Sequence, residues 1–391
     1  MDRTDRVAAL LFDIVAASFD QPRAVARHID QTVSRNRSIS SAERRETLLL
    51  AHQSMRWRRR LWGDIAPSRI DLGKVRLQLS EAEKLAQNPP FERWARLPVA
   101  DLAREVSFPS WMMERWIEDQ GLEPAVMLAL SLNQPAPTTL RANTLKTDRE
   151  ALAASLFGEG VETVPCAYSP WGLALQTRYN LFSLHAFRQG AFEIQDEGSQ
   201  LAVLQSDAKP GEFVIDACAR TGGKSLALAA LMENRGRVLA CDIDTRVFEE
   251  LEKRKTRAGA SIIDHQRVAK DDPNPLPKCK GAADLVFVDA PCSGLGVLRR
   301  KSWMKWAIDA ETPKAMHKGQ VEILKRYAQY VRPGGKLVYV VCTINALENE
   351  RVVRAFLDRN DAFESVESTR CFRPDVDGTD GFFIATFRRR S

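Results

Sequence analysis

FVIDACARTGGKSLALAALMENRGRVLACDID, residues 213–244, decides the fold. It opens on an apolar run ending at Asp216 and passes through a loop carrying Gly222-Gly223. A Leu- and Ala-rich stretch follows, then a second apolar run ending at Asp242. Strand, glycine pair, helix, strand and acid form the unit from which open parallel sheets are wound. Downstream, ADLVFVDA (283–290) and GKLVYVVCT (335–343) repeat the strand signature. Both are rich in Val, Leu or Phe without alternation, as strands covered on both faces read. SLALAALMEN (225–234), TRVFEELEKRKTRAG (245–259) and ETPKAMHKGQVEILKRYAQYVR (311–332) supply helices between them. Residues 190–391 are therefore expected to form an α/β, Rossmann-like doubly wound domain, with ligands at the carboxyl ends of its strands.

Upstream the texture changes. FPSWMMERWIEDQGLEPAVMLALSLNQ (108–134) reads as two short helices broken at Gly121. PTTLRANTLK (137–146), ETVPCAY (162–168) and GLALQ (172–176) read as strands, and DREALAASLFGEG (148–160) as a helix ending at glycine. Residues 105–189 are expected to form a small α/β module, in which Arg141 and Asn143 suit RNA contact and a structural role equally well. MDRTDRVAALLFDIVAAS (1–18) and AERRETLLLAHQSMRWRRRLWGDI (42–65) have apolar residues at helical spacing, so residues 1–104 are expected to be helical. The run Arg56-Trp57-Arg58-Arg59-Arg60-Leu61-Trp62 suits phosphate contact and base stacking, or a solvated helix face with its tryptophans turned inward.

Composition narrows the class. The 391 residues carry 57 Lys and Arg against 51 Asp and Glu, a formal charge of +6 with a pI near 8.9. That is a mildly basic protein suited to a polyanion partner. No apolar run reaches the ~18 residues of a membrane span, and the first residues lack a signal-peptide core. Seven cysteines cannot all pair, so reduced thiols and a cytoplasmic setting are expected. No metal is expected, because no C-x-x-C occurs and the five histidines are scattered.

The loop Cys218-Ala219-Arg220-Thr221-Gly222-Gly223-Lys224 follows the first strand, and Asp242 stands 20 residues beyond Gly222. That offset fits a carboxylate holding ribose hydroxyls. The dinucleotide fingerprint G-x-G-x-x-G is missing, and the phosphate loop is represented only by its Gly-Lys-Ser end. S-adenosylmethionine remains as the natural nucleoside cofactor.

Two strands end in cysteine. Asp289-Ala290-Pro291-Cys292-Ser293-Gly294 follows one, and Val341-Cys342-Thr343 ends the next. Neighbouring strands would aim both thiols into one crevice beside the cofactor. Cytosine carbon 5 is too electron-poor to take a methyl group directly. A thiolate adding at carbon 6 makes the ring an enamine that can attack the sulfonium methyl. One cysteine can be that nucleophile while a second group assists release by acid/base chemistry, and Asp289 can bond the base at nitrogen 3. The cytosine must also leave its stack.

From about residue 190 onward the chain resembles the bacterial RsmB and eukaryotic NOP/Sun family of RNA cytosine-5 methyltransferases. The matching residues are Gln195-Asp196-Glu197-Gly198-Ser199-Gln200-Leu201, the Cys218–Lys224 loop, Asp242, the Asp289–Gly294 motif with Leu295–Arg300, Lys305-Trp306, Pro333-Gly334-Gly335, Cys342, Glu348-Asn349-Glu350 and Asp380-Gly381-Phe382-Phe383. The resemblance implies Cys342 as nucleophile, Cys292 as the promoter of product release, and Asp289 beside both base and cofactor. It implies Cys218, Ala219, Arg220, Thr221, Gly222, Gly223, Lys224, Asp242, Asp271 and Asp289 around S-adenosylmethionine. It also implies a NusB-like RNA-binding helical domain, an RRM-like middle module, and a monomer acting on RNA, with 16S ribosomal RNA the expected substrate and transfer RNA the alternative.

Two departures mark this chain. The family loop usually reads Cys-Ala-Ala-Pro-Gly-Gly-Lys, and Arg220-Thr221 replaces its Ala-Pro. The family's Thr-Cys-Ser becomes Val341-Cys342-Thr343. A non-catalytic ribosome-assembly factor on a methyltransferase scaffold is the competing expectation. A DNA cytosine methyltransferase would use Cys292 and leave Cys342 idle.

Overall fold

The computed structural model describes residues 2–366 and 369–391. It divides into two compact units. One comprises residues 1–136 with 297–312 and 374–376, and the other comprises 137–296, 313–373 and 377–391. These limits differ from the three spans read from the sequence. The helical unit runs on to Ala136, because helices Ser110–Gln120 and Leu122–Leu132 pack with the helices before them. It also takes in the segment after Gly296, which the alternation of strands and helices had assigned to the sheet domain.

Local signals set the helices of the first unit. Asp2 caps Arg3–Asp20 by accepting from the Asp5 amide. Ser40 and Glu43 cap Ser41–Arg56 reciprocally, satisfying two otherwise orphaned donors. Asp71 caps Leu72–Gln87. The inward face of the first helix, Val7, Leu11, Ile14 and Val15, is fully buried.

In the second unit the strands are, in chain order, β1 (Thr139–Ala142), β2 (Thr163–Pro165), β3 (Gly172–Leu175), β4 (Phe192–Ile194), β5 (Phe213–Asp216), β6 (Arg237–Asp242), β7 (Ile263–Arg267), β8 (Ala283–Asp289), β9 (Val331–Val341), β10 (Phe363–Ser365), β11 (Arg370–Phe372) and β12 (Phe382–Arg389). Strands β1 to β4 form an antiparallel sheet in the order β2-β3-β1-β4. With helix Arg149–Gly158 after β1 and the short helix His185–Arg188 before β4, this is a βαββαβ unit. Its last strand lies beyond the boundary near 189, because Phe192 and Ile194 pair with β1.

The second sheet runs β10-β12-β9-β8-β5-β6-β7, with β11 on β12. Strands β5 to β9 are parallel, and β12 enters antiparallel against β9. The doubly wound expectation is met. The chain fills one side (β5, β6, β7) and then crosses to β8 beside β5. The switch point therefore lies between β5 and β8, where a ligand crevice forms at the carboxyl ends. Strand β7 had no sequence signal: it is an edge strand, IDHQR, with only Ile263 buried.

Candidate active site

The glycine pair does what its position suggested. Gly222 is left-handed, with φ +79°, and begins helix Gly223–Leu231. A Cβ on Gly222 would lie 2.1 Å from Leu251 Cδ1, so only glycine fits there. The loop is held from outside by two guanidinium groups. Arg141, fully buried on β1, donates to the Gly223 carbonyl at 3.1 Å and to Gln195 at 3.0 Å. Burial pulls its pKa down to about 10, even with Glu193 nearby. Arg254 donates to the Thr221 carbonyl at 2.8 Å and its hydroxyl at 3.0 Å, and is itself paired with the buried Glu193 at 2.8 Å. Asn143 is buried and donates to the carbonyls of Gly190 and Ala258. Of the two roles left open for Arg141 and Asn143, the structure shows the structural one.

Asp242, at the end of β6, accepts the Arg220 amide at 2.8 Å on one oxygen and the Asp244 amide at 2.9 Å on the other. A carboxylate has about four acceptor sites, so two stay available for ribose hydroxyls. The Val268 amide donates to the Asp242 carbonyl at 3.0 Å, and three residues on stands Asp271, exposed on the turn after β7. Asp216 is buried at the end of β5 and accepts the Ser225 hydroxyl at 2.6 Å. Burial raises its carboxyl pKa to about 7. Burial, with the Asp289, Asp216 and Asp242 carboxylates, also raises the Cys218 thiol and keeps it neutral.

Lys224 and Asp289 meet at 2.6 Å, both largely enclosed. Burial opposes the Lys224 charge. Asp289, by its charge and its hydrogen bond, and the Cys342 sulfur more than offset this, so the net shift is upward. Strands β8 and β9 are adjacent and parallel, and they bring Cys292 and Cys342 together with sulfurs 3.3 Å apart. The contact with Cys342, then burial, then the charges of Cys342 and Glu348 push the Cys292 thiol well above its ordinary range. Two thiols in contact share one easily lost proton. Cys292 keeps its proton, and the Lys224 ammonium lies within electrostatic reach of the Cys342 sulfur.

Every residue expected around the cofactor lies on the loop or at the carboxyl ends of β5, β6, β7 and β8. The donor set suits S-adenosylmethionine. Asp242 has open acceptor sites, and the tight loop leaves no side chain at Gly222 or Gly223. The altered loop residues cause no distortion of this arrangement. The Arg220 amide completes the Asp242 contact, its side chain points outward, and Thr221 is clamped by Arg254. At the second departure Thr343 keeps a buried hydroxyl, 3.1 Å from that of Ser293.

The sequence model described as 16S rRNA methyltransferase RsmB/F matches residues 203–388, and the RsmF/B-like ferredoxin-like domain matches 108–181. A probable ribosomal RNA small subunit methyltransferase B from Bacillus subtilis is 33% identical over 314 residues, 75% of this chain and 69% of that protein. The chain belongs to the RsmB and NOP/Sun family of RNA cytosine-5 methyltransferases. The family reaches further: the human 28S rRNA (cytosine(4447)-C(5))-methyltransferase is 30% identical over 321 residues, 74% of this chain and 39% of that protein. A methyltransferase homologue from Pyrococcus horikoshii of known structure is 26% identical, with a TM-score of 0.67 over 74% of this chain and 98% of that one. Membership accounts for the fold and for S-adenosylmethionine as the family's cofactor.

The basic run is a correction. Arg56, Trp57 and Arg58 are buried. Arg58 lies between the rings of Phe19 (4.1 Å) and Trp306 (4.2 Å), and burial lowers its pKa to about 10. Arg59 donates to the Phe108 carbonyl at 2.9 Å, and Arg60 pairs with Glu105 at 2.6 Å. These groups hold helices together and do not form a phosphate-binding face. Arg299 is buried too. The tryptophan at 306, which shares Arg58, comes from a segment far along the chain, and no local pattern announces it.

Proposed function

We propose that this chain methylates carbon 5 of a cytosine in ribosomal RNA, 16S being the expected molecule, with Cys342 as nucleophile. The observation that carries the reading is the pair of thiols 3.3 Å apart beside the Lys224–Asp289 ion pair. S-adenosylmethionine supplies an electrophilic methyl group when bound. The Cys218–Lys224 loop, Asp242 and Asp271 would hold it, with Asp289 beside both it and the base. The Cys342 thiolate, steadied by Lys224, adds to carbon 6 while Asp289, after taking a proton from solvent, donates that proton to nitrogen 3 and favours addition. Carbon 5 then takes the methyl group. Next the proton on carbon 5 must leave, the carbon 6–sulfur bond must break, and the sulfur must depart as thiolate.

The proton inventory gives Cys292 its part. Its raised pKa owes most to the contact and charge of Cys342. Once Cys342 is a neutral thioether, that cause disappears. Cys292 then ionises more readily, passes its proton to solvent and can take the carbon 5 proton. The second cysteine is thereby silent before addition and available after it. The intact loop geometry around Arg220 and Thr221 favours an active enzyme over a scaffold without cofactor.

We propose three separate duties: the helical unit for RNA handling in the NusB-like manner, the β1–β4 sheet with its helices as an RRM-like module, and the β5–β12 sheet for catalysis. The working form is a cytoplasmic monomer. Among the described residues no helix is long and apolar enough to cross a membrane. The test is methyl transfer from labelled S-adenosylmethionine to ribosomal RNA of cells lacking the gene, with bisulfite sequencing of the product. One newly protected cytosine in 16S RNA is expected. Protection in transfer RNA alone would move the substrate, and no transfer with demonstrated RNA binding would favour the scaffold.

A further inference from the structure

We propose that Glu348 is the positioning residue that sets the separation of the two thiols, tying the loop after β8 to the loop after β9 through Ser293 and Thr343. Glu348 had been matched only as part of a family pattern, with no role, and it touches neither cysteine by a hydrogen bond. Its side chain is fully buried. One oxygen accepts the Ser293 amide at 2.8 Å and the Gln320 side chain at 3.1 Å. The other accepts the Ser293 hydroxyl and, at 3.4 Å, the Thr343 hydroxyl. The two hydroxyls also touch each other at 3.1 Å. Ser293 follows Cys292 and Thr343 follows Cys342, so one carboxylate fixes the residue after each sulfur.

The surroundings close this tie from every side. Gln320, on helix Thr312–Ala328, also donates to the Pro291 carbonyl at 2.9 Å, just before Cys292. Asn349 donates to the Thr343 carbonyl at 3.3 Å, and the Tyr339 hydroxyl on β9 donates to the Glu348 carbonyl at 2.7 Å. Two N–H donors, from Ser293 and Gln320, and the two hydroxyls of Ser293 and Thr343 face the Glu348 carboxyl, and an ionised carboxylate can accept from all four at once. Burial raises the Glu348 pKa, and the bonds from Ser293, Gln320 and Thr343 work against that rise. A buried charge is retained where several donors satisfy it. Its field also helps keep the proton on Cys292.

The arrangement explains why Thr343 is tolerated where the family usually has Ser: the hydroxyl is what the tie uses. It also explains a shared constraint on both loops, since a displacement of 1 Å in reacting groups can cost about 10²-fold in rate.

The role of the thiols in methyl transfer rests on the proposed function, so the test reads their proximity directly. Diamide takes two electrons and two protons from a close thiol pair. Its N=N bond becomes N–N with two N–H, and an S–S bond forms. The rate of Cys292–Cys342 disulfide formation in the full chain is followed by mass spectrometry of the linked peptides. Methyl transfer is measured in parallel. Glu348→Gln turns one acceptor into a donor at unchanged size. It is expected to slow cross-linking and kcat by about tenfold or more, with KM for S-adenosylmethionine unchanged. Thr343→Ser should behave as the parent chain. If Glu348→Gln does not fold, Ser293→Ala and Thr343→Val carry the same readout, each removing one hydroxyl. Parent-like cross-linking in folded variants overturns the inference even if methyl transfer falls. A parent chain that transfers no methyl, with cross-linking still dependent on Glu348, leaves the positioning role standing and removes the function.

Discussion

The helical unit and the carboxyl edge of the large sheet both bury charge, but of opposite sign and to different ends. In the helical unit the buried charges are cations. Lys305 is enclosed, donates to the Arg56 carbonyl at 2.6 Å and Asn133 at 2.8 Å, and lies 4.0 Å above the Phe108 ring. Its partners are neutral acceptors and aromatic faces, which steady a cation without supplying a counter-charge. Burial, and then repulsion from Arg56 and Arg58, pulls its pKa well below the ordinary lysine value. At the sheet edge the buried ionisable groups are carboxyls, Asp216 and Glu348, both pushed upward by burial. Lys224 is the cation there, and it stays charged because Asp289 faces it. Buried charge alone therefore does not mark a reactive site. What separates the two regions is whether the partners are fixed fold elements or groups at the mouth of a ligand crevice.

The comparison breaks most decisively at Cys342. Cys342→Ala should reduce methyl transfer to background, a loss on the order of 10⁴-fold or more. Cys292→Ala should instead leave RNA attached to protein on a denaturing gel. Wild-type transfer by Cys342→Ala would show that the sheet edge does not work as assigned.

The second effect is a pH signature of Asp216. Its folded pKa of about 7 stands above the ordinary 3.8. The folded chain thus holds this proton up to about pH 7 and the unfolded chain only to about pH 4. The stability it contributes is full below pH 4 and fades as pH rises to 7, by at most about 4 kcal/mol. Asp216→Asn keeps an acceptor for Ser225, and should flatten that part of the urea-midpoint profile.

Next comes Lys224→Met, which removes the cation facing Cys342 and Asp289. A preorganised charge of this kind is worth about 10²-fold in kcat, read in the same labelled-methyl assay with little change in unfolding midpoint.

Lys305→Met tests the other region. The folded lysine sheds its proton earlier than the unfolded one, so its contribution is full above pH 10.5 and is lost as pH falls toward the folded value. The variant should lose this rise in stability with pH, and should cost about 1–3 kcal/mol through two buried acceptors left unpaired. Methyl transfer per folded molecule should hold. Smallest of all, Arg60→Ala breaks a partly exposed pair with Glu105. It should change stability by less than about 1 kcal/mol and leave RNA affinity as it was, because the group is already engaged.

Much of the site was legible. The strands ending at Asp216, Asp242, Asp289 and Val341 are long apolar runs, and carboxyl ends of such strands are where chemistry collects. The neighbouring of β8 and β9 followed from the usual winding order. Three things were not legible, each for a physical reason. Strand β7 is polar because it is an edge, so it carries no period. The basic run around Arg58 has the composition of a phosphate-binding surface, yet its rings come from Phe19 and Trp306, which no local pattern connects. Glu348 sits in a loop where its meaning depends on Ser293, 55 positions earlier.

By itself the sequence determined the parallel sheet, the cofactor loop and the two cysteines, since periodicity, glycine spacing and strand-end residues act over a few positions. Only the tertiary structure decided which charges are spent on the fold and which face the crevice. It alone shows that one buried carboxylate holds two loops, and that the thiols stand 3.3 Å apart. Burial and hydrogen-bond partners are made by residues distant in the chain, and these set whether an arginine, a lysine or a thiol is inert or reactive.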